Sequence, residues 1–527
     1  GAKFVRDVEN GEIVLIENDE LKSIKPFPPK KVRPCVFEYI YFARPDSILD
    51  KKTAYEHRKN IGAELAKEND VDADIVVPVP DSGNAAALGF AQHLKMNYEH
   101  GLIRNHYVGR TFIEPSQKIR SLGVKLKLNA NQKKILEGVR VLDLTRFLSG
   151  PQATSYLAAL GAEVVRIDDP LRGDPTMNAP PFFGPSGISM KRQTPDDIGV
   201  AYLKRARGKK SVAIDLKSKD GHALFLRLVK KADIIVENFR VGVTRRLGVD
   251  YESLRKQNPK LIYCSITGYG ATGPESELKA YDLMVQASSG LMSVTGKPDG
   301  APYKSGSSVS DCIAGTFALS GVLGALFQRT RTGEGQFIDV SMSDCLVSFI
   351  YDEPWDCYGQ LDLVPRQGNR IVRFSPFNTY AALDGTVAIG AATEADWCNL
   401  LEVMGRTELK DDPNYMNLSW RISHNVDVDA IVGNWVKSLP IATIMQRCIE
   451  REIACSPIRE AQDLVKWKHL QHRKLLTPTF HPDYPGMDGP LVATFPLKFS
   501  GANTDNHTPS ARLGEHNDSV VEEWLNE

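Results

Sequence analysis

Apolar and polar positions alternate after about residue 134 in a way that predicts strands and helices in turn. Val139–Leu144 is an apolar run of strand length. Four apolar residues then recur at helical spacing: Ala153, Tyr156, Leu157 and Leu160. Ala162–Ile167 forms the next apolar run. About 30 residues therefore make one β-α-β unit, whose two strands have to be parallel.

The alternation continues beyond this unit. A second unit is predicted from strand Ser211–Leu216, helix Gly221–Lys231 and strand Ala232–Glu237, and a third ends in strand Leu261–Thr267. Strands and helices that alternate in this way indicate an α/β fold with a Rossmann-like, doubly wound parallel sheet. Ligands of such sheets bind at the carboxyl ends of the strands. We assign residues 134–350 to this large domain.

The pattern changes near Arg373. Two short apolar runs flank Asp384-Gly385, a strong signal for a β-hairpin. Helical patterns dominate afterwards, at Ala395–Met404, Val428–Ser438 and Ile441–Arg451. We predict a smaller α+β domain at residues 374–475, reached through a connection at 351–373. Residues 476–527 are predicted to return to the large domain.

The first 133 residues form a separate segment. Ala73–Pro80 is predicted as a buried strand, Asp81-Ser82-Gly83 as a turn, and Ala85–His93 as a helix. The polar run Asn129–Lys134 separates this segment from the large domain. A chain of 527 residues is long enough for several such domains.

Composition excludes several classes of protein. Hydrophobic content of 42% and charged content of 25% are typical of globular proteins. Lys plus Arg equals Asp plus Glu, at 65 each, so no net charge attracts the molecule to nucleic acid. The most apolar stretch, Cys312–Phe327, has about 16 residues, whereas a membrane span needs about 20. We expect a buried helix there and no membrane association.

The cysteines and the N-terminus indicate a cytoplasmic protein. The chain has eight cysteines and no C-x-x-C pair, which favours reduced thiols. The first residues lack the basic and apolar regions of a signal peptide. His469 and His472 lie three residues apart without a metal-binding motif, so no metal site is predicted.

Asp311 is the main candidate for chemistry. It follows Ser307-Ser308-Val309-Ser310 and opens the predicted helix Ile313–Arg329. An Asp at this position is commonly a helix cap. It also suits a nucleophile, because a helix N-terminus stabilises an ionised carboxylate and its N–H groups bind a developing oxyanion. The residues themselves leave both readings open.

From about Ile135 onward the chain resembles the family III coenzyme A transferases. Separated blocks carry the resemblance in the family's order: Leu136–Thr145, Ser149-Gly150-Pro151 with Gly161–Val164, Gly208–Ser211, Val236–Arg240, Ala280–Asp282, Asp339–Met342 and Leu513–His516. This resemblance implies that Asp311 is the nucleophile and that Lys279 and Tyr281 line the CoA and thioester pocket. It also implies CoA contacts for Lys209, Lys210, Arg240 and Met342.

The chain departs from known members of the family at two places. Leu148 stands where formyl-CoA transferase has a glutamine over the aspartate, and the small-domain glycine run has no counterpart around Gly368-Asn369-Arg370. Transfer of formyl or oxalyl groups is therefore not expected. Tyr281 stands where the family's racemases carry a catalytic histidine, which favours a transferase. Arg370 and Arg373 are candidates to hold a second carboxylate of the acid.

The resemblance implies an acyl-CoA:carboxylate CoA-transferase that works through aspartyl anhydride and aspartyl-CoA thioester intermediates. Its partners would be an acyl-CoA and a free carboxylic acid. Coenzyme A would be a co-substrate, with no permanently bound cofactor. Family members form interlocked, ring-shaped homodimers, and the domain order here fits that assembly.

The N-terminal segment resembles the phosphoribosyltransferase half of amidophosphoribosyltransferases. The matching stretches are Cys35–Ser47, Pro78–Gly83 and Arg110–Ile113. The catalytic cysteine of that family's glutaminase domain and its phosphoribosyl-pyrophosphate loop are missing, so a truncated, inactive fragment is expected. Two alternatives remain at this point: phosphoribosyl transfer of the amidophosphoribosyltransferase type, and a non-catalytic CoA-binding or assembly protein.

Overall fold

The computed structural model describes residues 5–6, 8–18, 20–28, 30, 35–69, 71, 73–104, 128–130, 134–506 and 508–526. The chain divides into two compact units, Gly1–Lys133 and Lys134–Glu527. Arg110–Ile113, one of the stretches that resemble a phosphoribosyltransferase, lies outside the described residues.

Short strands and two packed helices make up the described part of the N-terminal unit. The strands pair as β1 Ile13–Glu17 with β2 Glu20–Ile24, β3 Ile48–Leu49 with β4 Lys52–Thr53, β5 Ile75–Val76 with β6 Asn97–Tyr98, and β7 Leu102–Arg104 with β8 Leu128–Ala130. The helices are α1 Ala54–Glu68, α2 Gly83–Leu94 and a π-helical turn, Glu38–Phe42. The predicted strand Ala73–Pro80 is only two residues long, because its two prolines cannot donate ladder hydrogen bonds.

Helices α1 and α2 approach each other through glycines. A Cβ atom on Gly62 would lie 1.8 Å from the carbonyl oxygen of Ala86, and one on Gly89 would lie 1.9 Å from that of Lys59. The side chain of Thr53 and that of Glu56 form a capping box at the start of α1. The helix predicted at Ala85–His93 is present as α2, which is slightly longer at Gly83–Leu94.

A six-stranded parallel sheet is the centre of the C-terminal unit. Its strands are β9 Arg140–Asp143, β10 Glu163–Asp168, β14 Lys209–Ala213, β15 Ile234–Glu237, β16 Ile262–Thr267 and β17 Phe337–Ser341. They lie in the order β14-β10-β9-β15-β16-β17, and every pair is parallel. Counted along the chain, this is the doubly wound order 3-2-1-4-5-6, which reverses between β9 and β15. The predicted α/β fold with a parallel sheet is confirmed.

Helices cover both faces of the sheet. On one face lie α3 Ser149–Ala159, α8 Asp282–Ser288, α10 Val309–Thr332 and α11 Met342–Ile350. On the other lie α5 Lys219–Val229, α7 Tyr251–Leu254 and α18 Asn517–Leu525. Adjacent strand residues point to opposite faces, so Val141 belongs to the first apolar core and Leu142 to the second. Short helices connect these layers: α4 Val200–Arg205, α6 Val243–Leu247 and α9 Leu291–Val294.

Helix α10 is long and apolar enough to span a membrane, judged by length and composition alone. It was predicted as a buried helix, and only one of its faces is buried. Ala314, Ala318 and Val322 lie in the core, whereas the Phe317 and Phe327 side chains are 46% and 60% exposed. The helix also begins earlier than predicted, at Val309.

The remaining elements form a smaller α+β region and two small sheets. Strands β18 Phe377–Ala382, β19 Gly385–Gly390 and β20 Ala454–Pro457 form an antiparallel sheet. Helices α13 Glu394–Met404, α15 Asn425–Val436 and α16 Ile441–Glu450 share its apolar core. The hairpin pairs Ala382 with Gly385, so its loop is Leu383-Asp384, one residue earlier than predicted.

Connecting elements complete this unit. They are β11 Phe182–Gly184, β12 Gly187–Ser189, β13 Ile198–Gly199, β21 Leu476–His481, β22 Tyr484–Ala493, α12 Trp355–Gln360, α14 Leu418–Ser423 and α17 Lys468–Arg473, with 3-10 turns at Pro175–Asn178, Thr407–Asp411 and Ala461–Lys466. The C-terminal segment packs on the large domain, where the backbone N–H of His516 donates to the carbonyl of Ser211 at 2.9 Å. Val520 and Trp524 are buried in the second core of the sheet.

Candidate active site

A cleft of about 810 Å³ lies at the carboxyl ends of the central strands. The loops that follow β9, β15 and β16 line it, together with the N-terminal ends of α3, α8, α10 and α11. This is the point where the strand order reverses, and diverging loops leave a crevice there in doubly wound sheets. The amide of Asn238 holds one rim of the cleft, because it bonds the backbone N–H and carbonyl of Arg146 at 2.8 Å each.

Asp311 lies in this cleft, within the first turn of α10. It is the third residue of the helix and not its cap, which corrects the reading of Asp311 as a capping residue. Ser149, the first residue of α3, faces the Asp311 carboxylate, and its hydroxyl and backbone N–H act to lower the pKa of that carboxyl group. The N-terminus of one helix therefore holds a carboxylate carried by another.

The pKa of Asp311 is raised to about 6, chiefly by burial and further by the neighbouring charge of Asp282. The hydrogen bonds from Ser149 and the positive charge of Arg205 act in the opposite direction. Burial thus outweighs the stabilisation that a helix N-terminus supplies. At neutral pH the carboxylate is still mostly ionised, while its basicity exceeds that of an exposed aspartate.

Asp282 and Gln286 position the segment that carries Asp311. The carboxylate of Asp282 accepts the backbone N–H of Ser310 at 3.0 Å and its hydroxyl at 2.7 Å. The amide of Gln286 donates to Asp282 at 2.7 Å and accepts the backbone N–H of Ser305 at 2.8 Å. Gln286 is fully buried. Asp282 is thus the group that satisfies a free N–H at the start of α10.

The structure brings six of the predicted site residues to one cleft: Leu148, Arg240, Lys279, Tyr281, Asp311 and Met342. The Tyr281 side chain is 52% exposed, and the Lys279 ammonium lies 5.3 Å from the centre of its ring. Nε of Arg240 donates to the carbonyl of Glu277 at 2.9 Å. Met342 begins α11 and is buried beneath the cleft.

Two predicted CoA contacts lie elsewhere. The Lys209 side chain has no exposed surface, and its ammonium lies 3.0 Å from the Asp143 carboxylate. It also donates to the Thr154 hydroxyl at 2.7 Å. Lys210 forms ion pairs with Glu163, at 2.8 Å, and with Glu523. The expected CoA contacts of Lys209 and Lys210 are therefore corrected, because both ammonium groups pair with carboxylates of this chain and neither residue lines the cleft.

The two arginines predicted to hold a second carboxylate are also outside the cleft. Nε of Arg370 lies 2.6 Å from the Asp429 carboxylate, and Arg373 lies 2.7 Å from that of Glu353. Asn378 and Tyr380 also donate to Asp429, at 2.8 and 2.6 Å. Within this chain, Arg370 and Arg373 are structural cations that join the connection to its surroundings.

Several cleft residues were missed by the sequence analysis. Arg205 ends α4, about a hundred residues before Asp311, and the sequence carries no signal that joins the two. A second cavity of about 690 Å³ shares Phe239, Arg240 and Val241 with the cleft. Arg245 and Arg246 line that cavity. The sequence did carry a signal for Arg245 and Arg246, because they form a cluster of basic residues with Arg240 just after β15.

Cys312 is the thiol next to Asp311 in sequence, and its chemistry differs. Burial raises its pKa, and the charge of Asp311 adds to the effect, so the thiol stays protonated and weakly nucleophilic. Among the described residues, no group of three or more His, Cys, Asp or Glu side chains is arranged to hold a metal ion. The arrangement offers a basic carboxylate, flanking cations and the free N–H groups of a helix end, which together suit acyl transfer.

Known proteins are similar to this chain in sequence and in fold. A succinate–glutarate CoA-transferase of Agrobacterium fabrum is 33% identical over 399 residues, which cover 75% of this chain and 96% of that protein. An acetyl-CoA:oxalate CoA-transferase of Acetobacter aceti is 33% identical, and the match covers 75% of this chain and 97% of that protein. The crystal structure of a CAIB/BAIF family protein from Brucella suis matches with a TM-score of 0.65 at 30% identity, over 75% of this chain and 100% of that one. Residues 136–517 match the model of CoA-transferase family III, and the chain belongs to this family.

Proposed function

We propose that this chain, which transfers CoA from an acyl-CoA to a free carboxylic acid, does so through covalent intermediates on Asp311. The observation that carries the proposal is the setting of Asp311: a cleft carboxylate of raised pKa that faces Ser149 at the N-terminus of α3. A partly desolvated carboxylate is a stronger nucleophile than an exposed one.

The reaction begins when an oxygen of Asp311 attacks the donor thioester carbonyl. The C–S bond breaks, giving an acyl-aspartyl anhydride and CoA thiolate. The thiolate then attacks the side-chain carbonyl carbon of Asp311, which leaves an aspartyl-CoA thioester and releases the donor acid. The acceptor carboxylate runs the same two steps in reverse and restores the Asp311 carboxylate. Each step exchanges acyl derivatives of similar energy.

The cleft and the adjoining cavity have room and charge for the two ends of CoA. Lys279, Tyr281 and Met342 lie around Asp311 and would contact the thioester end. Arg240 lines both cavities, and Arg245 and Arg246 line the second one. Guanidinium groups bind phosphate oxygens through paired donors, so we place the phosphates of CoA there. Coenzyme A acts as a co-substrate in this scheme.

Short dicarboxylic acids are the proposed acid substrates. Two similar proteins, each 33% identical to this chain, are named for such acids. One is named for succinate and glutarate, and the other for succinyl-CoA and mesaconate. Leu148 lines the cleft beside Asp311 and places an apolar side chain there. Formyl transfer is therefore not part of the proposal, whereas oxalate, a short dicarboxylic acid named for an equally similar relative, stays within it.

We further propose that the enzyme is a homodimer in the cytoplasm. The exposed face of α10 supports the dimer, since Phe317 and Phe327 are apolar side chains with large exposed fractions. The family resemblance supplies the interlocked arrangement. A sedimentation experiment is expected to show a dimer of the 58.4 kDa chain. An active monomer at nanomolar concentration would contradict the assembly.

The N-terminal unit is proposed to be an inactive phosphoribosyltransferase-like fragment. It keeps the Pro78–Gly83 stretch and lacks the acidic loop that would hold ribose and pyrophosphate. Removal of residues 1–133 is expected to leave CoA transfer largely intact. Formation of phosphoribosylamine by the full chain would show that this assignment is wrong.

The test of the covalent mechanism uses donor acyl-CoA without an acceptor. The protein is expected to gain a CoA-sized adduct on the peptide that contains Asp311, and hydroxylamine should convert this residue to a hydroxamate. Asp311→Asn should give neither product. Asp299→Asn is the matched control, because Asp299 is an exposed carboxylate outside the cleft. Exchange by the parent protein without any adduct would indicate direct transfer.

A further inference from the structure

Arg205 is a cleft cation without an acidic partner. It lines the same cleft as Asp311, and its terminal nitrogen donates to the carbonyl of Phe147 at 2.7 Å. Among the described residues, no carboxylate forms an ion pair with Arg205. A guanidinium has five N–H donors, so most of those on Arg205 have no partner within the protein.

The neighbouring arginine of the same cleft shows the contrast. Arg146 directs its guanidinium inward, where it donates to the carbonyls of Thr145 and Ile167 at 2.8 Å each. Its donors are therefore used to hold the loop after β9. Arg205 has one such bond, and the remainder of its guanidinium is available to a ligand in the cleft.

The position of Arg205 relative to Asp311 limits what that ligand can be. The two charges attract each other, yet they form no ion pair. A gap therefore separates the nucleophile from the cation. Burial lowers the pKa of Arg205, although an arginine stays charged at any physiological pH. A partly buried cation without a counterion carries a desolvation cost that an incoming anion removes.

We propose that Arg205 selects dicarboxylic acids by binding the carboxylate that is not transferred to CoA. One carboxylate of the acid reacts at Asp311 while the other forms a two-point hydrogen-bonded pair with the guanidinium. This inference rests on the proposed CoA transfer at Asp311. It moves the recognition of the second carboxylate from Arg370 and Arg373, which already pair with Asp429 and Glu353.

A purely structural role for Arg205 is the alternative that the test has to separate. Phe147 has a φ of 65°, a left-handed backbone conformation that residues other than glycine rarely adopt. The Arg205 guanidinium donates a hydrogen bond to the Phe147 carbonyl. If Arg205 only held this strained loop in place, its loss would displace Leu148 and Ser149 beside Asp311. Every acid substrate would then be affected alike.

The experiment measures CoA transfer from acetyl-CoA to two acceptors, glutarate and butyrate, in the parent protein and three variants. For Arg205→Gln, the KM of glutarate is expected to rise about 10- to 100-fold, the effect of a lost charge-assisted pair. In the same variant, the kcat for glutarate and both the kcat and the KM for butyrate should change less than about threefold. Arg205→Lys keeps the charge and loses the two-point geometry, so its KM for glutarate should lie between that of the parent protein and that of Arg205→Gln.

Lys204→Gln is the matched control, because it removes the adjacent positive charge without changing the lining of the cleft. It should leave both acceptors unaffected. Equal losses for glutarate and butyrate in Arg205→Gln, or an unchanged KM for glutarate, would overturn the proposal. The CoA adduct formed from acetyl-CoA alone reports separately on Asp311. An adduct in Arg205→Gln together with an unchanged glutarate KM would refute Arg205 and leave the covalent mechanism standing.

Discussion

Two carboxylates lie near the start of α3, and they differ in how completely the protein surrounds them. Asp143 is buried with Lys209 at 3.0 Å, and it also accepts the hydroxyls of Thr145 and Thr154. Burial alone would raise the pKa of Asp143, but Lys209 and its other partners lower it. Asp311 has Ser149 as its close donor and no ion pair, and its pKa is raised to about 6. The closed pair stabilises the fold, and the open carboxylate remains available to react.

Asp311→Asn should have the largest effect on activity. The amide keeps the shape of the side chain but cannot attack a thioester, so kcat is expected to fall about 10³-fold or more. Steady-state CoA exchange measures this loss. A variant that kept a tenth of the parent rate would place the nucleophile elsewhere.

The same variant should not lose stability. A carboxyl group whose folded-state pKa is raised stabilises the fold below about pH 4, and that contribution disappears as the pH rises through 6. At pH 8, Asp311→Asn is therefore expected to be more stable than the parent, by about 1–2 kcal/mol. Urea unfolding at pH 8 and pH 4 measures the difference, which should shrink at the lower pH.

Lys209→Met should show the opposite behaviour. It leaves the Asp143 carboxylate buried without its cation, which is expected to cost about 3–5 kcal/mol of unfolding free energy. Denaturant unfolding measures the change, and the kcat per folded molecule should stay near that of the parent. Lys210→Met is the control, since its half-exposed pairs should contribute less than about 1 kcal/mol. Equal effects of the two variants would contradict the distinction.

Gly315→Ala should impair the open site through packing. A Cβ at this position would lie 2.7 Å from the carbonyl oxygen of Ser149. The added methyl group would displace the serine that holds Asp311, and we expect kcat to fall about 10- to 100-fold. Gly359→Ala is the control, because Gly359 lies on α12, outside the cleft, with no atom within 4 Å of its Cβ. This control should keep the activity of the parent.

The smallest expected effect is a shift in pH dependence. The kcat/KM for the acyl-CoA should fall about tenfold per pH unit below pH 6, because the nucleophile has to be ionised. Asp282→Asn removes the like charge that helps to raise the pKa of Asp311, so the midpoint of this acidic limb should move to lower pH. A midpoint that stayed in place would show that Asp282 affects the position of Asp311 and not its ionisation.

The limits of sequence reasoning are visible at the start of α10. The apolar pattern predicted a helix from Ile313, whereas the helix begins at Val309. The extra turn depends on the Asp282 carboxylate, which satisfies the N–H of Ser310 from 28 residues away in sequence. Helix ends are set by whichever group meets the free N–H donors, and in this case that group belongs to another helix.

The sequence by itself determined the alternation of strands and helices, the parallel sheet, the family and the candidate nucleophile, because each depends on local periodicity or on ordered motifs. Only the tertiary structure decided which charges are available. Lys209 and Arg205 are both basic residues near the same helix. The Lys209 ammonium forms a buried ion pair with Asp143, whereas Arg205 lines the cleft. The difference comes from the strand order, which brings distant residues together and removes some charges from water while leaving others at the crevice.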